Sequence, residues 1–262
     1  MIKAKKSLGQ NFLIDPNIIN KIINIIEIKD RNLLEIGPGT GNLTSALLKE
    51  NPNKLLVIEK DNQLASMLRE KFKDSIEVIN QDILNLNENL LSKKILTVYG
   101  NLPYNISTEI LCKWILNLDS NKFWFDNLIL MFQKEVADRI ISDFNTKNYG
   151  RLSIISNWKL KVKKICDIKP SSFFPKPKID SSLLLFEPKK NFIKIKNSKN
   201  LEKITRNFFM HRRKMIKNTY NQLFNKNLET AKKLNINLNL RPQNLDFDTY
   251  YNLTSEYENL RG

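Results

Sequence analysis

The residues best placed to do chemistry stand at four expected strand ends. The first is Gly37-Pro38-Gly39-Thr40-Gly41, which follows the apolar run Leu33–Ile36. Glycines at a strand end let the backbone approach a ligand closely, and the N-terminus of the helix expected from Asn42 favours an anionic group. A dinucleotide fingerprint would carry another glycine at position 42, where Asn42 stands. Alone, Gly-x-Gly-x-Gly reads more readily as an ordinary tight turn. The second strand, 55–58, ends at Glu59, about twenty residues past the turn, where a carboxylate accepts hydrogen bonds from both hydroxyls of a ribose. The third, 76–79, leads to Asp82, which can take the amino group of an adenine or simply cap a turn. The fourth, 95–99, leads into Asn101-Leu102-Pro103-Tyr104. Gly37, Glu59 and Asp82 on one sheet edge point to a nucleoside cofactor, because open α/β sheets bind ligands there.

These side chains need a scaffold. Asp15-Pro16 is a helix start, a capping side chain followed by proline at the first helical position. Ile18, Ile19, Ile22, Ile23 and Ile26 follow at helical spacing. Further helices are expected over 61–72 and 107–116, and a fifth strand over 128–132. Strands alternating with helices predict an α/β fold with a doubly wound, parallel sheet. Pro170, Pro175, Pro177 and Pro188 resist helix, and Ser182–Phe186 reads as the last strand of that sheet. From Asn200 the pattern is helical and basic. The expected organisation is therefore residues 1–188 as an α/β cofactor-binding domain and 189–262 as a small all-α domain, with 189–200 as a linker.

The chain has 262 residues and a formal net charge of +16. That charge attracts polyanions, although the abundance of Lys, Asn and Ile together also suits drift toward A/T-rich codons. Apolar runs such as 128–132 are far too short to span a membrane, and the N-terminus lacks the apolar stretch of a signal peptide. Cys112 and Cys166 have no metal-type spacing and read as free thiols in a reducing cytoplasm. No metal site is expected.

Around the fourth strand the sequence resembles a known family. Asn101-Leu102-Pro103-Tyr104 is similar to the Asn/Asp-Pro-Pro-Tyr segment of methyltransferases that act on exocyclic amines. Lys6–Leu13, Glu35–Thr44, Met131–Ala137, Tyr149–Ser153, Phe173–Ser181 and Arg212-Arg213-Lys214 resemble one group in particular, the bacterial 16S ribosomal RNA adenine dimethyltransferases. The resemblance runs from about Lys6 to Asn218, is weaker beyond it, and departs at Leu8, where the family often has Phe.

The resemblance implies a Rossmann-like methyltransferase domain, S-adenosyl-L-methionine as cofactor, and 16S rRNA within the 30S subunit or its precursor as substrate and partner. It implies cofactor contacts from Asn11, Leu13, Gly37, Gly39, Glu59, Asp82 and Asn101. Read from the residues alone, Gly9-Gln10-Asn11 is only a polar loop. The Asn101 side-chain carbonyl and the Pro103 main-chain carbonyl would accept the two amine protons of an extruded adenine. Tyr104 would stack on one face of that base and Phe173 on the other; taken alone, Phe173 is a core residue beside Phe174. Arg206, Arg212, Arg213, Lys214 and Lys217 form a basic cluster expected to contact RNA phosphates, and His211 within it is a phosphate contact or a bystander. A cytoplasmic monomer is expected. Competing readings are a methyltransferase of large-subunit rRNA, an rRNA-binding assembly factor, and a DNA adenine methyltransferase.

Overall fold

A computed structural model describes residues 4–5, 8–88, 91–118 and 122–261. Their central feature is a seven-stranded sheet of order β4-β3-β2-β5-β6-β9-β7. Its strands are β2 (Asn32–Ile36), β3 (Lys54–Ile58), β4 (Glu77–Ile79), β5 (Leu96–Asn101), β6 (Phe125–Gln133), β7 (Leu160–Ile168) and β9 (Ser181–Pro188). β2 to β6 pair in parallel. Leu33, Leu34, Leu55, Leu56 and Val57 have almost no exposed surface, as expected of parallel strands covered on both faces. The doubly wound α/β reading is therefore the observed fold.

The crossovers follow local rules. α1 (Pro16–Ile23) begins where Asp15 accepts the Asn17 and Ile18 amides, and α3 (Asn62–Phe72) begins where Asp61 accepts the Gln63 amide. These caps satisfy amides that have no partner within the helix. α2 (Asn42–Lys49) is preceded by Gly41 in the left-handed region. α4 spans Ser107–Asn117.

Two expectations about the sheet need correction. The 182–186 strand belongs to it, but pairs antiparallel with β6. The chain enters β9 at the end where β6 leaves, with Ser181 opposite Gln133 and the Lys134 amide on the Asp180 carbonyl at 3.0 Å. A return at that end can only run antiparallel. The 160–168 strand was not expected: Leu160, Lys161, Val162 and Lys163 alternate, but the Lys163-Lys164 pair breaks the period after four residues. A separate two-stranded sheet pairs β1 (Phe12–Leu13) with β8 (Phe173–Phe174).

The chain divides into two compact units, one of residues 1–110, 121–137 and 163–188, the other of 111–120, 138–162 and 189–262. One change of unit falls at 188/189, and the second unit also takes in two earlier segments. Aromatic packing explains why. Tyr149 meets Phe209 and Phe247 edge-on, and the Tyr251 hydroxyl donates to the Ile154 carbonyl at 2.8 Å. The helices α7 (Ser198–Met210) and α10 (Phe247–Asn259) thus complete their core with residues from much earlier in the chain. Nor is 189–200 a free linker. The Lys189 amide donates to Lys159, the Trp158 indole donates to the Ile193 carbonyl, and the Lys196 and Asn197 amides bind the Glu258 carboxylate.

Candidate active site

Register builds the site. Ile36 lies opposite Ile58 and Gly100, and Ile58 opposite Ile79. One step further, Gly37, Glu59 and Asn101 emerge side by side, with Asp82 just beyond the neighbouring strand. They stand where strand order reverses between β2 and β5, the usual ligand crevice of such sheets. An open cleft of about 1160 Å³ is lined by Asn11, Leu13, Gly37, Gly39, Glu59, Asp82, Asn101, Pro103 and Tyr104.

The glycine turn is shaped for close approach. Gly37 and Gly39 have φ of 66° and 57°, in the region where side chains are strained. A Cβ on Gly39 would sit 2.5 Å from the Phe12 ring. The Glu59 carboxylate is buried and held by two main-chain amides, Asp61 at 2.9 Å and Gly39 at 3.3 Å. Burial pushes its pKa up, against these hydrogen bonds. Its remaining lone pairs suit the two hydroxyls of a ribose. Asp82 accepts the Leu84 amide at 3.0 Å and the Lys60 ammonium at 2.7 Å. The turn-cap reading of Asp82 therefore holds in the structure, and the carboxylate still lines the cleft. This donor and acceptor set fits a nucleoside cofactor.

The Asn101 side chain donates from Nδ2 to the Asn11 carbonyl at 2.6 Å. With one Nδ2–H given to Asn11, Oδ1 is the side-chain atom that can accept a hydrogen bond from a substrate. The Pro103 carbonyl accepts the Ile106 amide at 3.1 Å and keeps a second lone pair. Tyr104 is half-buried; its hydroxyl shares a 2.5 Å hydrogen bond with Ser181, and burial raises its pKa.

The family model for ribosomal RNA adenine dimethylases matches residues 1–259. The chain belongs to that family. As a dimethylase it is a methyltransferase of ribosomal RNA whose methyl donor is S-adenosylmethionine. It is 64% identical to a ribosomal RNA small subunit methyltransferase A from Pelagibacter ubique, covering 100% of this chain and 99% of that one. A protein of the same name from a Wolbachia strain of Drosophila simulans is 39% identical, covering 98% and 95%. Among solved structures, a dimethyladenosine transferase from Plasmodium falciparum superposes with a TM-score of 0.81 at 29% identity, covering 95% and 98%. The 23S rRNA methyltransferase ErmE superposes at 0.69 with 22% identity, covering 95% and 100%, a likeness of fold alone.

Phe173 is a correction to the expected site of the dimethylase. It has no exposed surface and belongs to the hydrophobic core with Leu13, Leu183 and Ile168. In β8 successive side chains point to opposite faces; Phe173, opposite Leu13, turns inward and Phe174 is 62% exposed. In this geometry Phe173 presents no face to a base.

The basic residues also sort themselves. The Arg212 guanidinium donates to the Gln243 side chain at 3.1 Å and to the Lys147 carbonyl, so it ties loops of the second unit together. Arg206 lies 3.7 Å from the Glu202 carboxylate. Arg213, Lys214 and Lys217 are exposed. His211 is exposed as well.

The sequence reading missed Glu35 and Gln10. Glu35 is fully buried beneath the glycine turn, accepts the Thr44 hydroxyl at 2.6 Å, and is pushed up to about pKa 7 by burial, with Glu59 adding repulsion. Its place in the glycine-turn segment was visible; its burial was not.

Proposed function

We propose that this dimethylase transfers methyl groups to the N6 amines of two adjacent adenines in a loop near the 3′ end of 16S rRNA, within the 30S subunit or its precursor. The observation that carries the chemistry is the Asn101 amide, anchored through Nδ2 with Oδ1 left as acceptor. An adenine amine is a poor nucleophile because its lone pair is delocalised into the ring. Hydrogen bonds from its two protons to Asn101 Oδ1 and the Pro103 carbonyl localise that pair on nitrogen. Tyr104 stacks on the extruded base, at roughly 1–3 kcal/mol per stacked base. S-adenosylmethionine, when bound, supplies an electrophilic methyl on a sulfonium that leaves as a neutral thioether. Gly37 and Gly39, with Asn11 and Leu13, wall its site, Glu59 takes its ribose hydroxyls and Asp82 its adenine amino group. The residues act by positioning and electrostatics as positive charge develops on the amine. The methylated ammonium is acidic enough to give its proton to water, so no histidine is required.

Arg213, Lys214 and Lys217 are the proposed phosphate contacts of the helical unit, and the enzyme works as a cytoplasmic monomer. Support for the small subunit comes from the two relatives named for it. Purified 30S and 50S particles incubated with labelled cofactor test the proposal. Label is expected in 16S rRNA only, and to vanish with Asn101→Ala. Label confined to 50S particles, or transfer at the wild-type rate by Asn101→Ala, refutes it.

A further inference from the structure

The segment 8–13 touches both halves of the cleft. A Cβ on Gly9 would lie 3.0 Å from the Asn105 side chain and 3.6 Å from Pro103, and Phe12 packs against Gly39. Its main chain supplies the Asn11 carbonyl that holds Asn101, and its Leu13 carbonyl accepts the Asn42 side chain at 2.8 Å. Beyond Leu13 the chain is sewn down by the Ile14 amide on the Ser172 carbonyl at 2.9 Å.

The other end is held by one buried carboxylate. Asp61 Oδ2 accepts the Lys5 ammonium at 2.8 Å and the Gln10 side-chain amide at 3.3 Å. Gln10 in turn accepts the Lys5 main-chain amide at 2.7 Å. The Asp61 side chain is only 2% exposed, the Lys5 side chain 44%. Burial alone would raise the Asp61 pKa, but the hydrogen bonds from Lys5, Gln63 and Gln10 carry it below the usual value. The Asp61 main-chain amide also holds Glu59 at 2.9 Å. One residue thus joins the strap to the carboxylate assigned to the ribose.

The geometry points to Gln10 and Lys5 as positioning residues for methyl transfer: closed on Asp61, they hold the strap so that the Asn11 carbonyl fixes the Asn101 amide with Oδ1 toward the amine. An amide whose two ends differ by one proton pair can flip, and only a fixed acceptor on Nδ2 selects the productive orientation. The inference rests on Asn101 as the amine acceptor, proposed above. It makes Lys5 and 8–13 part of the catalytic geometry as well as a cover for the cofactor.

The test removes the latch with Lys5→Ala and Gln10→Ala together, with Lys5→Arg plus native Gln10 as the conservative control. Single-turnover transfer at saturating cofactor and rRNA is expected to fall roughly tenfold while cofactor affinity changes less than about threefold, the signature of misplacement. Lys5→Arg is expected to keep the wild-type rate. Hydrogen exchange is expected to speed up together in peptides 8–13 and 101–106. In an Asn101→Asp background, which has no Nδ2 proton to give Asn11, latch removal is expected to cost no further rate. The idea is overturned if exchange at 101–106 is unchanged, if the loss lies wholly in cofactor affinity, or if the same loss recurs with Asn101→Asp. Where Asn101→Asp transfers nothing, the exchange at 101–106 decides. A fully active Asn101→Ala refutes the acceptor role instead, and leaves the exchange readout of the latch standing.

Discussion

Replacing Glu35 with Gln is expected to stabilise the protein above neutral pH and to do nothing for it near pH 4.5. Glu35 has 2% exposure, and it accepts a hydrogen bond from Thr44 Oγ1. In the unfolded chain its carboxyl loses a proton around pH 4.5; in the folded chain it does so at about 7. Between those values the folded protein holds a proton that the unfolded chain has released, so stability falls as pH rises. Above 7 both forms are ionised and the penalty is complete, about 3 kcal/mol from the two values. Gln keeps the shape and can still accept from Thr44, but carries no charge to desolvate. Urea unfolding at pH 5 and pH 8.5, wild type against Glu35→Gln, measures the difference. The variant is expected to gain about 3 kcal/mol at pH 8.5, or roughly 6 °C in melting temperature, and little at pH 5. Parallel pH profiles for the two proteins would show that the Glu35 carboxyl is not desolvated as the structure has it.

Further outcomes follow from other contacts. Phe173→Ala removes a ring with no exposed surface and is expected to cost about 3–5 kcal/mol in thermal or chemical unfolding. Phe174→Ala, at an exposed position, is expected to cost less than about 1 kcal/mol; the reverse order would restore Phe173 as an accessible base platform. Gly39→Ala forces a Cβ into the Phe12 ring at a positive φ, and calorimetry is expected to show a roughly 5- to 150-fold loss of cofactor affinity if the 1–3 kcal/mol of local strain is relieved by displacing the turn from the cleft. Arg213→Ala and Lys214→Ala are each expected to lower the slope of log affinity for rRNA against log salt by up to about one, as a lost phosphate contact does. Arg212→Ala is expected instead to lower the melting temperature, because its guanidinium serves Gln243 and Lys147.

Much of this protein was legible before any coordinates. Asp15-Pro16 announced a helix because a capping side chain and a fixed φ act within a few residues. The parallel strand 55–58 reads as a continuous apolar run, and 33–36 as one interrupted only by Glu35, because both their faces are covered. Gly37, Glu59 and Asp82 could be assigned to one edge because alternating strands and helices place successive strand ends together. Those are local or periodic properties, and sequence alone determines them.

Other features depended on pairings between distant residues. The direction of β9 followed from where the chain re-enters beside Gln133. The second unit gained 138–162 because Tyr149 and Ile154 complete a core with Phe209, Phe247 and Tyr251. Phe173 and Phe174 are adjacent aromatics that sequence cannot tell apart; the pairing of Leu13 with Phe173 sends one inward and the other to solvent. Asn101-Leu102-Pro103-Tyr104 suggested amine chemistry from sequence, but which end of the Asn101 amide is held was decided by the Asn11 carbonyl, 90 residues earlier in the chain. A hydrogen bond selects its partner by position in space, and position in space is what only the tertiary structure provides.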